Sequence, residues 1–155
     1  MTPGDASRLL IAVAGADFIK GSLIALRCFG QLLPIGYARG EGPHITLEDH
    51  VAGVLTRLAS EAYDAGDSEG VERSGNLGLS LMSAASVESD KYPRLAISRW
   101  SRRGTRGMAA ISFASSGWEE PVSSESQFAV QIKGSGLIRQ KHVTIEAMEM
   151  IARIL

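Results

Sequence analysis

With a single cysteine, Cys28, the chain has no internal disulfide to staple it, which agrees with a reducing compartment. No apolar run reaches the roughly 18 residues that a membrane span requires. No basic-then-apolar leader opens the chain, since Asp5 stands close behind Met1 and Arg8 comes later. These absences predict a soluble, cytoplasmic protein with no membrane role. Histidine is scarce as well. His44 and His50 lie six apart rather than four, and His142 is remote, so no zinc-helix spacing exists and no metal site is expected. With no thiolate pair either, there is nothing to complete one. Gly-x-Ser-x-Gly and phosphate-loop patterns are missing. Gly134-Ser135-Gly136 lacks the lysine and helix start of a phosphate loop and reads as a turn. Glu119-Glu120 is a bare acidic pair in a loop. No cofactor and no enzymatic activity are expected from this inventory.

The net charge of −1 also excludes a generic polyanion binder. Its distribution is uneven, however. From Glu61 to Asp90 the acids Glu61, Asp64, Asp67, Glu69, Glu72, Glu88 and Asp90 face Arg73 alone. Directly afterwards, Arg94, Arg99, Arg102, Arg103 and Arg106 follow one another with no acid between them. Such asymmetry predicts a partner surface, or two halves that neutralise each other.

The arginines sit on a hairpin pattern. Residues 94–100 and 108–114 both alternate with period two, and Ser101-Arg102-Arg103-Gly104-Thr105-Arg106-Gly107 between them has the glycines that a turn needs. Leu95 and Ile97 form the apolar face of the first arm, and Ala109, Ile111 and Phe113 that of the second. The small residues Ala96, Ser98, Ala110 and Ser112 are expected on the other face.

Before this hairpin the chain reads as helices. Thr2-Pro3-Gly4-Asp5 is a helix start, with Thr2 as cap and proline in the first turn. That helix runs to about Ala14, with Gly15 as its stop. Asp17 caps a second helix, Phe18 to Phe29. Leu33 to Pro43 is a loop. Thr46 opens a third helix, with Asp49 in capping-box position and Val51, Val54, Leu55 and Leu58 as its buried stripe, ending at Gly66. Residues 77–86 are ambiguous: Leu77, Leu79 and Leu81 alternate like a strand, while the following residues would also suit a helix. Phe128 to Lys133 and Leu137 to Val143 read as a second hairpin around Gly134-Ser135-Gly136. Thr144 caps a closing helix whose stripe is Ile145, Met148, Ile151 and Ala152. The expectation is an α+β fold. Three helices (1–66) come first, then a small antiparallel sheet and a C-terminal helix (77–155), and the two parts may form one compact domain.

Thr2-Pro3-Gly4-Asp5-Ala6-Ser7-Arg8-Leu9-Leu10-Ile11-Ala12-Val13-Ala14-Gly15 resembles the opening of small uncharacterised proteins carried by prophages. Lys141-His142-Val143-Thr144-Ile145-Glu146-Ala147-Met148 is similar in style to their endings. The resemblance covers only these two ends and implies a phage-linked regulatory or accessory role with no assigned chemistry.

The candidate site is therefore the arginine hairpin: Arg94, Arg99, Trp100, Arg102, Arg103 and Arg106. Guanidinium groups offer a planar fork of donors to phosphate, and a two-stranded ribbon fits a major groove. Trp100 between Arg99 and Arg102 can stack on a base, or it can be a core tryptophan at a strand end. The expected partner is DNA or RNA, with an acidic protein surface as the alternative. In that alternative the chain is an accessory protein that binds or inhibits a host protein through the hairpin or the acidic segment. A plain solvated tip, its arginines paired with the Glu61–Asp90 acids, stands beside both. A helix-turn-helix in the first thirty residues is disfavoured, because the second helix offers only Lys20, Ser22 and Arg27 as a polar face. Residues 2–29 carry more apolar side chains than one stripe can hide, which predicts a homodimer.

Overall fold

The computed structural model describes residues 1–16, 19–37, 42–64, 77–84, 94–100, 109–115 and 138–155. The described residues form an α+β fold of four helices and a five-stranded antiparallel sheet. The helices are α1 (Pro3–Gly15), α2 (Ser22–Gly30), α3 (Leu47–Asp64) and α4 (Ile145–Ala152), and a 3-10 turn, Ile19–Gly21, leads into α2. The strands are β1 (Leu33–Pro34), β2 (Gly78–Ala84), β3 (Arg94–Trp100), β4 (Ala109–Ala114) and β5 (Ile138–Thr144). Their spatial order is β1-β4-β3-β2-β5.

Threonine starts three of the helices. Thr2 Oγ1 accepts from the Asp5 amide at 3.1 Å, and the Asp5 carboxylate accepts from the Thr2 amide at 3.1 Å. The Thr2 hydroxyl also donates to the Asp5 carboxylate at 2.7 Å, and that bond first and the one from the Thr2 amide second hold the Asp5 carboxyl below its usual range. Thr46 and Asp49 repeat the exchange at α3, at 3.2 and 3.3 Å. Thr144 accepts from the Ala147 amide at the start of α4. Each cap satisfies amides that the first helical turn leaves without a partner. The start of α2 is different. Asp17 lies outside the described residues, the N-cap is Gly21 with no side-chain bond, and Ser22 Oγ instead donates to the Ile19 carbonyl at 2.8 Å.

The ambiguous segment is a strand. Gly78–Ala84 pairs with β3 on one side and with β5 on the other, so two ladders decide what local propensity leaves open. The expected loop after α2 contains a short edge strand, β1, paired with the end of β4. Its Pro34 sits where a missing amide is tolerated. Phe128, Val130 and Ile132 lie outside the described residues, as does Gly66.

The hairpin of β3 and β4 is present, but its faces differ from the pattern expected. The register sets Ala96 against Phe113 and Ser98 against Ile111, while Leu95 and Ile97 oppose Ala114 and Ser112. The two apolar sets therefore lie on opposite faces. Ile111, Phe113, Ala96, Leu79 and Leu81 join the helices in one core with Leu10, Ile11, Phe29, Leu47, Val51, Leu55, Ile145 and Met148. Leu95, Ile97, Met82 and Ala114 form a second buried cluster, with Ile35 against it. Alternation fixes which residues of one strand share a face. Which faces of two strands coincide depends on a register that differs by one residue from the one assumed. The small side chains of Ala96 and Ser98 leave room for the helices on that side.

α1 is bound to α3 by polar contacts as well as packing. Ser7 Oγ donates to the Glu48 carbonyl at 2.7 Å, and Arg8 Nε meets Glu48 Oε1 at 2.6 Å. The ion pair is largely exposed on its arginine side, where such pairs contribute little. No helix among the described residues is long and apolar enough to cross a membrane.

Candidate nucleic-acid interface

The end of β3 that leads into the arginine turn is where α3 meets the sheet. On this strand Ser98 and Trp100 point to the helical side, since residues two apart share a face. His50 and Arg57 are seven residues apart on α3, two turns of one helix stripe. The two elements meet through these side chains. His50 Nε2 and Ser98 Oγ are 2.9 Å apart. The His50 ring lies 5.4 Å from that of Trp100 and 5.0 Å from that of Phe113. The Arg57 guanidinium carbon stands 5.5 Å from the centre of the Trp100 ring, within reach of a cation–π attraction.

His50 is buried, and burial pushes its pKa down to about 4, with the nearby Arg57 charge adding to the effect. The imidazole is therefore neutral at physiological pH and packs as an aromatic ring with one polar link. Ser98 is only 3% exposed. The buried serine and the buried neutral histidine join α3 to the sheet. Among the described residues no cluster of three or more histidine, cysteine or acidic side chains could hold a metal. His142 Nδ1 lies 2.9 Å from Ser80 Oγ on the other side of the sheet, and Cys28 is half-buried on α2.

The expected site residues are spread along β3. Trp100 ends the strand, half-buried, and takes the packing role against α3 while keeping an arginine over its ring. Arg99, also half-buried, points to the opposite face of the sheet. Arg94 begins the same strand, about 20 Å away at ~3.3 Å per residue. It is buried, 7% exposed, and its carbonyl accepts from the Ser115 amide. Arg94 is thus separated from the turn. Arg102, Arg103 and Arg106 lie outside the described residues, although the strands that they connect are hydrogen-bonded neighbours from Trp100 and Ala109 onward. The acids from 65 to 76 and from 85 to 90 also lie outside them.

Sequence reasoning missed Arg57 and His50. Their only signal was a shared stripe on the third helix, where a polar residue among Val51, Val54 and Leu58 could be read as surface. What identifies them is contact with Trp100, which only the tertiary fold supplies. No protein-family model matches the chain, and neither a curated protein nor a solved structure is found to be similar to it.

Proposed function

We propose that this chain is a non-enzymatic nucleic-acid-binding regulator, phage-linked and cytoplasmic, whose hairpin tip grips the phosphate backbone. Arg102, Arg103 and Arg106 make the phosphate contacts, and Arg57 adds a fourth cation from α3. The observation that carries this reading is the placement of Arg57 over Trp100 at the strand end from which the arginine turn departs. It sets the Arg57 charge beside an aromatic ring at the end of β3. Arg94, buried at the far end of β3, has no part in the contact.

Salt titration tests the reading. Affinity for a DNA duplex should fall with a log–log slope of about −0.9 for each phosphate neutralised. Replacing Arg102, Arg103 and Arg106 together by alanine should reduce that slope by roughly three, and Arg57→Ala by roughly one. An unchanged slope in the triple variant, or no binding at low salt, ends this reading.

Self-association, the second proposal, draws on the helical face. Leu9, Val13, Ile19 and Leu23 on the first helices are all more than half exposed. Large exposed apolar patches mark protein contacts, and a homodimer is the arrangement proposed for these residues.

A further inference from the structure

Helix α3 buries Val51, Val54 and Leu55 in the core and leaves Gly53 and Arg57 exposed. These two are four residues apart, so they are neighbours on the helix surface. Among the described residues Arg57 forms no ion pair, and its guanidinium stands over the Trp100 ring instead, 5.5 Å from the centre. Gly53 is the less expected of the pair. Glycine inside a helix weakens it relative to alanine. Packing within the chain does not demand it here, because a Cβ added at Gly53 would meet no atom within 4 Å. The missing side chain leaves open space beside an exposed cation, where the backbone of a ligand can come close.

The Trp100 ring is itself already engaged. Trp100 is half-buried at the end of β3, with His50 at 5.4 Å and Arg57 over the ring. Phe113, the other aromatic side chain of the described β3 and β4, is wholly buried. Proteins that hold single strands use open aromatic faces on which successive bases stack. This surface offers a held guanidinium beside a bare helix turn. A guanidinium fork fits phosphate oxygens, and contacts of that kind position a backbone without reading its bases.

We propose that Gly53 and Arg57 form a seat for the phosphate backbone of a duplex, that Trp100 is the positioning residue which holds Arg57 there, and that no base stacks on Trp100. This inference rests on the nucleic-acid reading and adds the class of polymer to it: a duplex in preference to a single strand, held by its backbone.

Titration of the full chain with a short DNA duplex, and with either of its strands alone, tests the proposal. The chain has two tryptophans, so Trp118→Phe leaves the emission of Trp100 alone to be read. The duplex should bind at least about tenfold more tightly than the strand. Trp100 should keep its emission at saturation, since a stacked base would quench it. Trp100→Leu should weaken duplex binding about two- to fivefold, the change that a cation–π hold of ordinary strength represents. In an Arg57→Ala background the same substitution should change nothing, because the group that Trp100 positions is gone. Trp100→Phe keeps a ring under Arg57 and should retain most of the parental affinity. Gly53→Gln should melt no lower than the parent, glutamine being the better helix former, yet bind the duplex at least about threefold more weakly. This variant carries the test if Trp100→Leu does not fold. Equal affinity for duplex and strand, quenched Trp100 emission, a Trp100→Leu loss of the same size with and without Arg57, or Gly53→Gln at parental affinity would overturn the inference while leaving the nucleic-acid reading in place. Absence of any binding at low salt would end both.

Discussion

His50 Nε2 and Ser98 Oγ lie 2.9 Å apart across 48 residues of sequence, both buried between α3 and β3. This bond is a polar link in a largely apolar contact between helix and sheet, and burial there favours the neutral imidazole. The folded protein holds the His50 pKa at about 4, below the ordinary value of 6.5. Between these two values the unfolded chain binds a proton that the folded chain refuses.

Stability should therefore be fully present above pH 6.5 and should fall as pH drops from 6.5 to 4. The loss from this group is at most about 3.5 kcal/mol, at about 1.4 kcal/mol per pH unit, and it levels off below pH 4. Urea unfolding at a series of pH values measures it. His50→Gln retains a polar partner for Ser98 and should flatten the slope in that window. A variant with the parental slope would show that another group governs it.

Gly78 stands at φ +133°, opposite Thr144 where β2 meets β5. A Cβ at this position would collide with the Val143 carbonyl oxygen, which is backbone and cannot swing away. Gly78→Ala should cost on the order of 3 kcal/mol or more, strain and collision together. Thermal unfolding of the variant is the measurement. A change under about 0.5 kcal/mol, the usual range for surface positions, would mean that the strand shifts to accept a methyl group.

Thr46→Ala removes the side chain that accepts from the Asp49 amide and orients its carboxylate toward the Thr46 amide. The expected cost is about 1 kcal/mol. Thr46→Ser should restore most of it, because the hydroxyl remains. Denaturant midpoints of the three proteins decide the matter.

The helical face makes a statement about assembly. Ile19, in the 3-10 turn, and Leu23, on α2, are 93% and 76% exposed. Sedimentation at micromolar concentration should show a dimer, and Leu23→Lys should shift it toward monomer without lowering the thermal midpoint of the monomer. A parent that sediments as a monomer would rule out this face as a self-contact.

Much of the fold was legible in the residues. Thr2, Thr46 and Thr144 announce their helices because a capping threonine acts locally, through bonds to amides three residues away. The alternation around Ile97 and Ile111 announces strands for the same reason. What could not be read was relational. The pairing of Ser98 with Ile111 and of Ala96 with Phe113 depends on register, and alternation within one strand does not contain it. The assembly around Trp100 depends on a helix that begins some fifty residues earlier. Arg94 and Arg99 looked alike as charges near a turn. Strand geometry sends Arg99 to one face and keeps Arg94 buried at the far end.

Strand β2 has a further consequence, for the order in which the protein is made. It is hydrogen-bonded on both sides, to β3 and to β5, and Ser80 meets its partner His142 across 62 residues. As the chain leaves the ribosome, β2 and β3 emerge close together and can pair, while the other edge of β2 waits for residues that are synthesised much later. Until they arrive, that edge is an open row of backbone donors and acceptors, able to template contacts with another nascent chain. Closing so long a loop is also slow relative to forming the local helices. Yield during expression should thus depend on how fast β5 docks, and a temperature or chaperone that protects the half-built sheet should matter more than any single contact in the finished one.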